Sequence, residues 1–215
     1  SCVDLDGFNI PTDYFIGELI PGTGAINTQA FYQEANQVNA RNRMLAGDSP
    51  DEIIQWLIDN DVQNTASLRQ FGIAAIVDGN PQSAGFTGIN TQSYKNHITG
   101  PNYAIQGNII LGQEILDSME ARFLQAEGDL ACKLMAAMQG ANVPGADTRC
   151  ASNNTSSLFA FLKVAQPMDT FGDPSLLVSV RTSMNAMIEP IDSLQTLFDA
   201  VHSCVTVSVD DPDPL

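Results

Sequence analysis

Residues 100–111, Gly100-Pro101-Asn102-Tyr103-Ala104-Ile105-Gln106-Gly107-Asn108-Ile109-Ile110-Leu111, carry the reading on which the fold turns. Tyr103, Ile105 and Ile109 alternate with small or polar residues, the period of a strand, and Gln106-Gly107-Asn108 interrupts the run just before a helical pattern begins. The stretch predicts a strand whose polar end lies at a site. A buried amide without a partner costs roughly 1–3 kcal/mol. Gln106 and Asn108 are therefore either structural clamps or ligand contacts, and in the second role their amides would donate to an oxyanion.

Downstream of this strand, residues 112–139 carry Ile115, Met119 and Phe123, then Leu130, Leu134 and Met138, at helical spacing, with Glu127-Gly128-Asp129 dividing two helices. The methionines read as core filler. Residues 156–164 and 176–184 read as strands, and 190–201 as a helix. Upstream, residues 18–29 predict a strand pair bent at Pro21-Gly22-Thr23-Gly24. That G-x-G lacks the third glycine and the βα unit of a phosphate loop. Residues 30–46 predict a polar-rich helix with Phe31, Ala35, Val38 and Leu45 near one face. Ser49-Pro50-Asp51-Glu52 is a capping-box start for a second helix with Ile53, Ile54, Leu57 and Ile58 on its apolar side. Residues 68–77 predict a buried strand that turns at Asp78-Gly79 into a hairpin. Strands alternating with paired helices favour a layered, sheet-centred domain over a parallel βαβ fold.

Composition bounds the function. The chain has 215 residues, 44% hydrophobic and 16% charged, with a mean hydropathy of −0.03, enough to bury a core in one domain. Nine Lys plus Arg against 25 Asp plus Glu give a net charge of −16 and a pI near 4.1. Phosphate binding needs clustered cations, so nucleic acid and anionic membrane surfaces are excluded as partners. No apolar run has the length of a membrane span, no signal peptide is visible, and Ser1 reads as a processed end. Asp4-Leu5-Asp6-Gly7 echoes part of a calcium loop but lacks its later ligands.

The cysteines Cys2, Cys132, Cys150 and Cys204 contain no C-x-x-C, which favours disulfides over a metal site. Spacing makes Cys132–Cys150 the preferred bridge, because the loop after the second helix is long enough to turn back along it. That leaves Cys2 with Cys204, although four cysteines allow three connectivities. Overlapping sequons at Asn153 and Asn154 suit an extracellular loop. The protein reads as exported, to the cell surface, the medium or a periplasm.

Thr28-Gln29-Ala30, the Asp78-Gly79 turn with Gly85-Phe86-Thr87-Gly88, residues 100–108, Asp147-Thr148-Arg149 and Glu189-Pro190-Ile191 resemble the bacterial "domain of unknown function 1028" family over roughly the first 200 residues. The resemblance implies an N-terminal-nucleophile hydrolase-like fold: an α+β, four-layer αββα sandwich with two antiparallel sheets between helical layers. It places one such domain over residues 1–202 and a C-terminal extension over residues 203–215. It also implies an opening hairpin ahead of the position of Ser1, which a separate N-terminal peptide would have to supply. In such hydrolases the first residue of the opening strand is the nucleophile and its α-amino group, with a pKa of about 7.7–8.0, is the base. Ser1 has that chemistry at a different strand, and is the catalytic candidate only on the hydrolase reading.

Residues 204–209, Cys204-Val205-Thr206-Val207-Ser208-Val209, give a strand signal past the family's usual end, followed by an acidic, Pro-rich tail. One strand is missing and one is spare. The tail is expected to fill the vacant position, in its own molecule or in a neighbour, by strand addition.

Among the remaining site candidates, Asp147 and Arg149 form an ion pair that orders a loop, or Arg149 binds an anion. Asp173 in Phe171-Gly172-Asp173-Pro174 reads as a turn residue or a general base. His97 and His202 lack ligand-spaced partners, so neither a zinc site nor a serine triad is expected, and no cofactor is implied. The functional expectation is a non-catalytic structural or surface-assembly subunit, a homo-oligomer on the strand-addition reading. The alternative is an N-terminal-nucleophile amide hydrolase.

Overall fold

A computed structural model describes residues 1–5, 11 and 16–204. Residues 205–209 of the expected strand at 204–209, the tail beyond it and part of the calcium-loop echo lie outside these residues.

β1 (Gly17–Ile20), β2 (Gly24–Gln29), β3 (Gln70–Val77) and β4 (Asn80–Thr87) form one antiparallel sheet in chain order. The hairpin at Asp78-Gly79 closes as expected: both residues take positive φ, 50° and 77°, which is what a two-residue primed turn requires. Every second residue of this sheet faces helices α1 (Glu34–Leu45) and α2 (Pro50–Asp59). Ile26, Phe71, Ile73, Ala75 and Ala84 pack there on Ala40, Met44, Ile53, Ile54 and Leu57. α2 begins with the expected capping box, Ser49 Oγ accepting from the Glu52 amide while Glu52 accepts from the Ser49 amide at 2.8 Å.

α1 departs from expectation. Ala30 and Phe31 have φ of 57° and 59°, a left-handed corner that delays the helix to Glu34. Phe31, Ala35 and Leu45 are exposed in consequence, and the helix buries Asn36, Gln37, Ala40 and Met44 instead.

The other face of the sheet carries the hairpin β5 (Lys95–Gly100) and β6 (Tyr103–Asn108). Contact is close enough that a Cβ on Gly72 would lie 2.0 Å from Gln106 Oε1. α3 (Gln113–Gln125) and α4 (Leu130–Gly140) follow. They approach so nearly that a Cβ at Gly140 would sit 2.6 Å from the Met119 backbone. β7 (Phe159–Val164) and β8 (Leu176–Arg181) form a third antiparallel sheet, covered by α4 and α5 (Pro190–Val201) through Ala160, Leu162, Val164, Met135, Leu194 and Phe198.

All four cysteines are bridged, but the spacing argument pairs them wrongly. Cys2 bonds Cys150 and Cys132 bonds Cys204, not Cys132–Cys150 and Cys2–Cys204. The loop after α4 does not fold back along that helix. It runs on to bridge Ile110 with Asp147 and pairs with residues 155 and 156, which carries Cys150 to the start of the chain. α5 packs beside α4 and delivers Cys204 to Cys132.

Candidate functional site

The two smaller sheets face one another across a slot. Each is two-stranded among the described residues. Between β6 and β7 lies a cavity of about 450 Å3. Its edges are Tyr103–Gln106 and Phe159–Lys163. One wall is apolar and comes from α3 and α4: Met119, Phe123, Leu134, Ala137 and Met138. The other comes from the face of β1 and β2 turned away from the helices, with Ala25, Asn27 and Gln29. Strand alternation produces this contrast, since Ile26 and Thr28 point to α1 and α2 while their neighbours point into the slot.

The polar wall rests on an amide network. Gln70, fully buried, donates through Nε2 to Thr87 Oγ1, the Asn96 carbonyl and the Gly107 carbonyl at 2.9–3.0 Å. Its Oε1 accepts from Gln29 at 2.8 Å and from Asn108 at 3.0 Å. Asn108 is thus placed as a clamp. Gln106 differs: the residue lines the slot, and its Oε1 is buried against Gly72 with no hydrogen-bond partner among the described residues.

Ser1, Asp147 and Arg149 meet at one end of the slot. Asp147 accepts from the Cys2 amide at 2.8 Å and from Arg149 Nε and Nη2 at 2.9 and 2.6 Å. Burial works to raise its pKa, but the Arg149 and Cys2 hydrogen bonds and the Arg149 charge outweigh it and hold the carboxyl below its usual range. Its hydrogen bond to Asp147, helped by the carboxylate charge, raises Arg149 above its ordinary value against the pull of burial. Ser1 Oγ accepts from Arg149 Nη2 at 3.2 Å, its carbonyl accepts from the Leu158 amide at 3.0 Å, and its amino group donates to the Phe159 carbonyl at 3.4 Å. Burial pushes that amino group down to about 6, with Asp147 opposing and Arg149 reinforcing the shift. Nearby, Glu189 accepts from Ser156 Oγ and the Ser156 amide, both at 2.6 Å, and caps α5.

The structure brings Ser1 and Gln106 to the slot, places Asn108 in its supporting network, and stations Asp147 and Arg149 at its end. Asp173 is not brought there; it is exposed in a turn, its amide donating to the Thr170 carbonyl at 2.9 Å. His97 sits over β4 against Thr87 Oγ1 at 2.9 Å. Sequence reasoning missed Gln29, Gln70 and Glu189 as site residues. Gln70 had a signal, a lone amide inside the apolar run at 68–77, and Glu189 precedes the proline that starts α5. Among the described residues, Asp129, Cys132 and His202 cluster within 4.8 Å, but the Cys132 sulfur is committed to Cys204 and cannot serve as a thiolate ligand.

Fold and site together define an α+β protein of antiparallel sheets and helices, organised round a slot that is apolar on one wall and amide-rich on the other. The chain belongs to the Family of unknown function (DUF1028), whose model matches residues 14–191. The crystal structure of protein SPO2555 from Silicibacter pomeroyi, of the same family, is similar over 86% of this chain and 76% of that chain, with 18% identity and a TM-score of 0.65. At that identity the likeness shows the fold alone. No curated protein matches the chain.

Proposed function

We propose that this protein is a non-catalytic structural subunit, built on the four-layer αββα sandwich of N-terminal-nucleophile hydrolases, that works by accepting an extended segment between β6 and β7. The observation that carries this reading is the slot itself. Two short sheets end against one cavity, in the geometry into which a strand adds by main-chain hydrogen bonds while its alternate side chains enter two unlike walls. Helices α1 and α2 on one side and α3, α4 and α5 on the other supply the outer layers. The two disulfides favour an oxidising compartment, and hence export. Assembly into homo-oligomers follows if the accepted segment comes from a second copy.

Amide hydrolysis is the second reading, favoured by one observation: Ser1 sits at the slot with its amino group held near neutrality in pKa. Against it, the Ser1 hydroxyl accepts from Arg149 and the amino group that would serve as its base is engaged as a donor to the Phe159 carbonyl.

Two measurements on the full chain decide between them. Native amide exchange is expected to show Phe161, the outward-facing residue two positions beyond Phe159, protected as in a paired strand. A panel of peptide and side-chain amides is expected to give no amine release. Exchange of Phe161 at the rate of a solvated amide would refute the slot reading. Turnover that Ser1→Ala abolishes would replace the structural role with hydrolysis.

A further inference from the structure

The start of α4 and the end of α5 meet at a second cluster of chemically active side chains, independent of whatever the slot accepts. Asp129 is the N-cap of α4, its Oδ1 accepting from the Cys132 amide at 3.1 Å, so its carboxylate and the Cys132 side chain share the first turn of that helix. α5 stops at His202, whose φ of −142° and ψ of 136° turn the chain into extended backbone. Residues two apart in extended backbone face the same side. His202 and Cys204 accordingly both reach the same turn of α4. His202 Nε2 lies 3.2 and 3.1 Å from the two carboxylate oxygens of Asp129, and its ring packs on Phe198 with centroids 5.1 Å apart. Cys204 is bonded to Cys132, the Cα atoms 5.7 Å apart.

One donor atom from each of Asp129, Cys132 and His202 falls within 4.8 Å of the others, and the Cys204 sulfur, joined to that of Cys132, adds a fourth. Two sulfurs, an imidazole nitrogen and a carboxylate oxygen are a zinc donor set. Zinc holds such donors at about 2.0–2.3 Å, which puts the corners of its tetrahedron about 3.3–3.8 Å apart. Asp129 and His202 already stand close to that spacing. The bridge is what withholds the other two donors, because a disulfide sulfur is not a thiolate.

The two bridges differ in access. Cys2 and Cys150 are 7% and 0% exposed, whereas Cys204 lies exposed beside an exposed Asp129 and a half-buried His202. Thiol exchange requires approach to a sulfur, so Cys132–Cys204 is the bridge that opens first, by attack on Cys204. The leaving sulfur is that of Cys132, in the first turn of α4, where a helix favours negative charge. Two external thiols are oxidised to one disulfide while the bridge is reduced to two cysteine thiols, whose protons are released when Zn2+ binds.

We propose that, once a thiol reductant has opened the Cys132–Cys204 bridge, Asp129, Cys132, His202 and Cys204 bind one zinc ion in a closed tetrahedral site that holds the end of α5 to the start of α4 in the bridge's place. With four protein donors the site is structural and keeps no position for a substrate. Bridge and metal are alternative staples at one point: the bridge serves in an oxidising compartment, the metal where thiols prevail.

The test uses the full chain, oxidised and after mild reduction by a phosphine that is removed before titration. Differential alkylation with peptide mapping identifies the free cysteines. Zn2+ is titrated against a chromophoric chelator, and Co2+ replaces it as a spectroscopic probe. The reduced chain is expected to take up one Zn2+ with a Kd at or below about 1 μM and to show thiolate-to-cobalt charge transfer, and the oxidised chain to do neither. His202→Ala keeps both bridges, so its folding can be checked in the oxidised form; once reduced it should bind zinc about tenfold or more weakly. In Cys132→Ser/Cys204→Ser the charge-transfer band should vanish. Opening of Cys2–Cys150 ahead of Cys132–Cys204, a reduced chain that binds no zinc, or equal binding by the oxidised chain overturns the proposal. So does a charge-transfer band that persists in the double serine variant, or an unchanged affinity in His202→Ala.

Discussion

Replacing Asp61 by Asn should destabilise the protein more than any other single polar substitution we predict. Asp61 and Arg69 are 4% and 1% exposed and meet through Arg69 Nε at 2.7 Å. Arg69 also donates to the Phe31 carbonyl at 2.6 Å and to Gln63 and Thr65 at 2.9 and 3.0 Å. Asp61 accepts in addition from Asn36 at 2.7 Å and from the amides of Gln63 and Thr65 at 3.0 and 2.9 Å. The pair ties α1 and the corner at Phe31 to the entry of β3, one residue before Gln70 and the amide wall. Removing one partner of a buried ion pair leaves the other uncompensated, at about 3–5 kcal/mol. For a chain of this size that is a fall in Tm of about 6–20 °C. The pH dependence has a definite sign. Burial tends to raise the Asp61 pKa, but the hydrogen bonds from Arg69, Thr65, Asn36 and Gln63 prevail and hold it far below the usual range. The stability it contributes is therefore present above the unfolded value of about 3.9 and is lost only as the pH falls towards the depressed folded value. Urea unfolding at pH 7 and at steps below pH 4 should show a gap between wild type and variant that narrows with acid. A gap under about 1 kcal/mol at pH 7, or one that widens on acidification, would refute the reasoning.

Three further outcomes follow from other parts of the structure. Unreduced peptide mapping should recover Cys2 linked to Cys150 and Cys132 linked to Cys204; replacing the second pair by serines should cost about 4 kcal/mol from chain entropy over its 72-residue separation, measured by denaturant unfolding under oxidising conditions. Gly24→Ala should destabilise more than Gly72→Ala by thermal melting, because the new methyl lies 2.4 Å from the fixed Ala74 carbonyl in the first case and meets only the movable Gln106 side chain in the second. His97, whose pKa burial lowers, holds a proton less readily in the fold than in the unfolded chain, so stability should be full above the unfolded value of about 6.5 and decline as the pH falls below it; His97→Gln should flatten the unfolding midpoint between pH 7 and pH 5.

How far the fold was legible depended on whether local chemistry or distant contact decided each feature. The capping box at Ser49 and the turn at Asp78-Gly79 are local, and both stand where the sequence puts them. β6 was readable because Tyr103 and Ile105 alternate with residues that face the sheet. β5 was not, since Lys95-Asn96-His97-Ile98-Thr99 carries no apolar period and is held by pairing with β6. The start of α1 failed because the Phe31 carbonyl is taken by Arg69, 38 residues away, a contact that helix propensity does not contain. The cysteine pairing failed for the same reason: it depends on where the loop after α4 and the end of α5 go, and spacing records neither. At the site, Ser1, Gln106, Asp147 and Arg149 were singled out individually. What joins them, the slot between β6 and β7, is a property of two sheets and became visible only in three dimensions.

The distribution of satisfied and unsatisfied amides separates support from recognition within that slot. Gln29 and Asn108 donate to Gln70 Oε1 while Gln70 donates to the carbonyls of Asn96 and Gly107, so these three amides are tied to one another and to the backbone. A network of this kind holds β2, β3 and β6 in register and keeps the polar wall rigid. Gln106 lies beside it with an open acceptor, and an orphaned buried acceptor costs roughly 1–3 kcal/mol that a fold without a use for it would shed by substitution with an apolar residue. The cost disappears once a donor enters the slot. Until one does, Gln106→Leu should leave the stability of the chain unchanged or raise it, as measured by denaturant unfolding. A loss of about 1 kcal/mol or more would mean that Gln106 already meets a donor in the native chain.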